Sequence, residues 1–108
     1  MGYYTQYNVT ISNLDNANQG VKVAKMLDLQ HYDFSDDGTI MQYDTYEKWY
    51  DWKEDCVRVS LQYPKILIEI EGKGEENGDM WKARVRNGVC ERIEAKIVFD
   101  DFKLIIDG

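Results

Sequence analysis

The sequence predicts an α+β fold: a mostly antiparallel sheet of about five strands with two helices on one face, in the order β-α-β-α-β-β-β and close to a ferredoxin-like arrangement. Three observations lead there. The N-terminal residues alternate with a period of two, two later stretches carry apolar residues at helical spacing, and the last third alternates again around an Asn-Gly pair. At 108 residues the chain fits a single domain, residues 1–108, which can bury about two-thirds of its unfolded surface around one core.

Tyr3, Thr5, Tyr7, Val9 and Ile11 alternate with Tyr4, Gln6, Asn8, Thr10 and Ser12, the pattern of a half-buried strand whose odd positions face inward. The Asn/Asp-rich stretch 12–18 can cap a first helix over residues 17–29, with Val21, Ala24, Met26, Leu27 and Leu29 at roughly helical spacing. Ser35-Asp36-Asp37-Gly38 then breaks the chain, and Thr39 to Tyr46, rich in β-branched and aromatic residues, forms a second strand. Asp51 and Glu54 offer an N-cap pair for a second helix, whose Trp52, Cys56, Val59 and Tyr63 share one face and which Pro64 stops. Ile66, Ile68 and Ile70 mark a third strand suited to the sheet interior.

The remaining strands form a hairpin around Asn87-Gly88. A two-residue turn would set the apolar series Trp81, Ala83, Val85 on the face opposite to Ile93, Ala95, Ile97, Phe99, so the hairpin could not bury one side. A three-residue loop with a bulge at Gly88 removes the conflict by pairing Val85 with Glu91, Ala83 with Ile93 and Trp81 with Ala95. The outer face would then carry Lys82, Arg84, Arg86, Arg92 and Lys96 beside Glu94.

Composition narrows the function classes. Twenty acidic against thirteen basic side chains give a formal charge of −7, which opposes binding to a phosphate backbone and makes nucleic acid a disfavoured partner. An acidic surface suits a partner protein with a basic one. No apolar run approaches the roughly 20 residues of a membrane span, and MGYYTQYNVT lacks a secretory pattern, so a cytoplasmic protein with no membrane contact is expected. Cys56 and Cys90 are too few for a disulfide framework and too far apart for a metal knuckle.

Several motifs invite chemistry. Asp33 to Asp44 matches an EF-hand calcium loop at Asp33, Ser35, Asp37, Gly38 and Ile40, but its twelfth position is Asp44 in place of the longer glutamate, so an Asp-Gly turn is the better reading. GKGEENGDMWK, residues 72–82, could grip a cation through Glu75, Glu76 and Asp79, yet its spacing fits no established loop, and its continuation alternates like a strand, which a phosphate cradle does not allow. Residues 72–79 are therefore read as the connection between strands three and four. His31, the only histidine, has no partners for a triad or zinc site. These readings imply no cofactor, no metal and no catalytic residue, and binding rather than enzymatic chemistry is the expected mode of action. The aromatics Tyr43, Tyr46, Trp49, Tyr50 and Trp52 read as core for some and a protein-binding hot spot for one or two.

The N-terminal Met1-Gly2-Tyr3-Tyr4-Thr5-Gln6-Tyr7, the central Lys48-Trp49-Tyr50-Asp51 and the segment from Gly74 to Lys82 together resemble small phage and prophage proteins of uncharacterised role, mostly from Gram-positive bacteria. The resemblance spans most of residues 1–99 and is strongest in the glycine-acid-tryptophan segment. It implies an accessory phage product acting in the host cytoplasm. The expectation is an inhibitor of a host defence system, such as an anti-CRISPR, that occupies a basic host surface through Glu75, Glu76, Asp79 and Trp81 or through Trp49 and Trp52. The alternative is a nucleic-acid or nucleotide module using Lys82, Arg84, Arg86, Arg92 and Lys96.

Overall fold

The computed structural model describes residues 4–75 and 79–94. Six strands and two helices follow in the order β1 (Thr5–Ser12), α1 (Ala17–Leu27), β2 (Tyr32–Phe34), β3 (Met41–Glu47), α2 (Trp52–Gln62), β4 (Leu67–Gly74), β5 (Met80–Arg86) and β6 (Val89–Glu94). They form one sheet in the order β2-β3-β1-β4-β5-β6, with every neighbouring pair antiparallel. Six strands replace the five expected from the sequence. The additional one, β2, has only three residues, too few for a period of two to declare itself.

The alternation of β1 holds as read. Thr5, Tyr7, Val9 and Ile11 are buried, and register carries the same face outward through Tyr43 and Met41 on β3 and through Ile70 and Ile68 on β4. Both helices cover this face, closing a core that includes Val23, Ala24 and Leu27 of α1 and Cys56 and Val59 of α2. In α1 it is Val23, not Val21, that is fully buried.

Reciprocal side-chain bonds start α1: Asn16 Oδ1 accepts from the Gln19 amide at 2.9 Å, and Gln19 Oε1 accepts from the Asp15 amide at 2.8 Å. The helix stops two residues earlier than expected because Asp28 turns left-handed at φ 56°, its amide donating to Lys25 O while Leu29 N donates to Ala24 O. Gly20 leaves room for Phe34 of β2, whose ring occupies the space a Cβ would need. At α2 the N-cap position is Asp51, as expected, but the side-chain bond of a cap is missing. The acid that matters is Asp55, which accepts from Trp49 Nε1 at 2.8 Å.

The bulged hairpin is overturned. Val85 pairs with Cys90 and Arg86 with Val89 across a two-residue turn in which Asn87 (φ 48°) and Gly88 (φ 81°) both take positive φ, the geometry whose twist matches flanking strands. The conflict between faces is real and is resolved by exposure: the register with β5 sets Val89 and Ile93 on the face away from the helices, beside Arg86 and Lys82, and both are exposed. On the helix side α2 clasps the turn, Ser60 Oγ accepting from Gly88 N at 2.9 Å and Leu61 packing against Gly88. The expected partners Ala95, Ile97 and Phe99 lie outside the described residues, as does Tyr3.

Candidate functional site: the open face of the sheet

Among the described residues both helices lie on one side of the sheet and no element covers the other, and strand parity decides what stands on it. Even positions of β1 and β3 point outward, which brings Tyr4, Gln6 and Asn8 together with Gln42, Asp44 and Tyr46. From β4, β5 and β6 come Glu69, Glu71 and Lys73, then Met80, Lys82, Arg84 and Arg86, then Val89, Glu91 and Ile93.

The charges on this face are arranged in cross-strand pairs. Lys82 Nζ lies 3.5 Å from Glu71 and Arg84 Nε lies 3.3 Å from Glu69, while Glu91 stands opposite Arg84 from the other side. Exposed pairs of this kind contribute only ~0–1 kcal/mol each, but they cancel the basic ladder as a source of net positive potential. Arg92 leaves the ladder altogether. In the observed register it faces the helix side, with its guanidinium 5.2 Å from the Trp81 ring centroid and an ion pair to Glu94 at 2.9 Å. Lys96 lies outside the described residues.

Between the charged rows sit large apolar side chains. Ile93 is 67% exposed, Tyr46 59% and Met80 48%, with Val89 also exposed at the hairpin end. Met80 and Ile93 line an open depression of about 290 Å³, bordered by Gln6, Lys73 and Lys82; a second of about 380 Å³ continues between Glu69, Arg84 and Glu91. At the far end the Tyr4 and Tyr46 rings stack at 5.3 Å with an interplanar angle of 12°, and Lys48 Nζ sits 4.9 Å from the Tyr4 centroid. Glu75 Oε1 accepts from the Tyr4 amide at 3.1 Å. Desolvation, then the nearby Glu75 carboxylate, raises the Tyr46 phenol above its ordinary value.

The sequence-derived contact residues divide. Glu75 is exposed beside the tyrosine stack, and Asp79 closes the β4–β5 connection by accepting from Gly74 N at 2.7 Å through its carbonyl. The connection itself is shorter than expected, since Gly72 and Gly74 belong to β4; Glu76 lies outside the described residues. Trp81 is only 7% exposed, stacked on Trp52 at 4.5 Å and edge-on to Tyr7 at 6.0 Å. Trp49 is half-buried, with Tyr7 donating its hydroxyl to the Trp49 carbonyl at 2.9 Å. These tryptophans therefore belong to the helix side: Trp81 is part of the core, and Trp49, through Tyr7, and Trp52 pack against it. Tyr46 belongs to the aromatic group in which one or two hot-spot residues were expected, whereas Tyr4, Met80 and Ile93 are exposed positions the sequence reading did not select. A signal existed for both tyrosines: Tyr4 shares parity with Gln6 and Asn8, and Tyr46 with Gln42 and Asp44, which assigns both to the polar face.

The Asp33–Asp44 segment forms the β2–β3 hairpin. Asp37 Oδ1 accepts from Thr39 Oγ1 at 2.7 Å, Ser35 Oγ at 2.9 Å and Thr39 N at 3.1 Å, bonds that hold its carboxyl below the ordinary range, with Thr39 the leading cause. Asp33 and Asp44 stand on the two strands and not in the turn. Among the described residues no three His, Cys, Asp or Glu side chains converge as a metal site would require, and no helix is long and apolar enough to cross a membrane. His31 is exposed ahead of β2. No family model matches this chain, and neither does any curated protein or solved structure.

Proposed function

We propose that the protein acts by binding another protein through the open face of its sheet, without catalysis. One observation carries this reading: Tyr46, Met80 and Ile93 are exposed on a face whose charged neighbours are largely paired with one another. Aromatic residues and methionine are enriched at protein interfaces, whereas an unpaired basic surface would suit a phosphate backbone better. The formal charge of −7 favours a partner with a basic surface. With the resemblance to phage proteins, a host defence protein is the partner class to examine first.

We also read the first six elements as a ferredoxin-like unit extended by the β5–β6 hairpin, a reading supported by the strand order β2-β3-β1-β4 with antiparallel neighbours. The extension widens the open face and supplies Met80 and Ile93.

Affinity capture from host cells with three forms of the chain tests the binding reading. The unaltered protein and Leu61→Ala, changed on the helix side, should retain the same partner, and Met80→Ala/Ile93→Ala should lose it. Equal retention by all three would remove the open face from consideration.

A further inference from the structure

Resting on the protein-binding reading, we propose that Tyr46 and Glu75 together receive an arginine side chain of the partner, the guanidinium lying on the exposed phenol ring and turning its N–H edge to the carboxylate.

The tyrosine stack already holds one cation. Lys48 Nζ lies over the Tyr4 ring, and Tyr4 in turn stacks on Tyr46, so an aromatic pair with a bound ammonium group stands on the open face. Tyr46, the second ring, keeps more than half of its surface in solvent. An aromatic face attracts cations through its quadrupole, and a planar guanidinium adds stacking to that attraction.

Glu75 supplies the second half of the recognition. Its carboxylate is exposed, accepts from the Tyr4 amide through Oε1 and is hydrogen-bonded by the Tyr46 phenol, so it stands at the edge of the ring with two of its acceptor positions engaged. A carboxylate has about four acceptor positions, which leaves capacity for a donor from outside. A guanidinium can satisfy ring and carboxylate together because its N–H groups radiate in the plane that stacks. An ammonium group is a point charge and gains only the attraction to each. The chain's negative charge draws cations of either kind, so preference for arginine over lysine is what distinguishes this site from general attraction.

Fluorescence anisotropy with labelled Gly-Arg-Gly-Arg-Gly and Gly-Lys-Gly-Lys-Gly peptides at low salt tests the inference. The arginine peptide should bind about threefold to fivefold more tightly, the scale of an exposed cation–π contact. Tyr46→Leu and Glu75→Gln should each remove most of that preference, Tyr46→Phe should keep it, and Asp36→Asn, an equal charge loss on the β2–β3 turn, should leave it unchanged. Equal binding of the two peptides, no binding, or the same loss in Asp36→Asn overturns the inference. Should that happen while partner capture still depends on Met80 and Ile93, the binding reading stands alone; capture indifferent to those residues defeats the broader reading instead.

Discussion

The Trp81 indole lies against the backbone of Gly72, directly across the β4–β5 ladder, so that a Cβ at residue 72 would overlap Cε2, Cζ2 and Nε1 of the ring. Trp81 has little room to yield, because Trp52 stacks on it and Tyr7 meets it edge-on. Gly72→Ala should therefore destabilise the fold by about 1–3 kcal/mol, the usual cost of overpacking, despite alanine's better strand propensity. Urea unfolding measures the loss. In a Trp81→Phe background the same change should cost less, since the two positions are in contact and couple.

The tight β5–β6 turn makes a separate prediction about register. Strong Hα–Hα NOEs should link Val85 with Cys90 and Ala83 with Arg92, and none should link Val85 with Glu91. Gly88→Ala should cost about 1–2 kcal/mol, because alanine is strained at φ 81° and its methyl would approach Leu61 Cδ2 at 2.7 Å.

How far the sequence reveals this molecule depends on how local each signal is. Period-two alternation in β1 and β4 reports directly on the core face, and both helices announce themselves through apolar spacing and, at α1, through the Asn/Asp-rich stretch 12–18 that supplies its cap, Asn16. The hairpin misleads because β6 does not bury the apolar series that β5 does; only the pairing partners reveal that Ile93 faces away from the helices. The tryptophans mislead for a related reason. A hot spot and a core cluster share the same residue types, and the contacts that decide between them, Trp52 on Trp81 and Tyr7 against both Trp49 and Trp81, join distant segments. The open-face tyrosines were legible by parity, whereas their stacking and the approach of Glu75 depend on three strands aligning.

The two cysteines should behave very differently toward thiol reagents. Cys90 is half-buried and should label in the folded protein, while Cys56 is fully buried and should label only on unfolding. Burial, with smaller contributions from Asp55 and Cys90, pushes the Cys56 thiol far up. The folded state thus keeps its proton after the unfolded chain has lost it. Stability from this group is complete below about pH 8.5 and then falls by about 1.4 kcal/mol per pH unit as pH rises toward the folded value. Denaturant titrations from pH 8 to pH 10 should show this decline, and Cys56→Ala should lack that part of the slope.

Paired charges on β4 and β5 also predict weak interaction with nucleic acid. Lys82 and Arg84 are engaged by Glu71 and Glu69, and Arg92 faces the other side of the sheet. Titration with short labelled RNA and DNA at low salt should give no saturable binding to the unaltered protein. Glu69→Gln/Glu71→Gln, which leaves the ladder uncompensated, should raise affinity in a manner that falls steeply with salt. Tight, salt-sensitive binding by the unaltered chain would instead favour the nucleic-acid reading.

Hydroxyl-radical footprinting of the complex, once a partner is captured, tests most directly whether the side of the sheet away from the helices is the surface used. Oxidation of Met80 and Tyr46 should drop on binding, while Leu61, equally exposed but on the helix side, should react at its free rate. Protection of Leu61 with Met80 and Tyr46 unchanged would contradict the account.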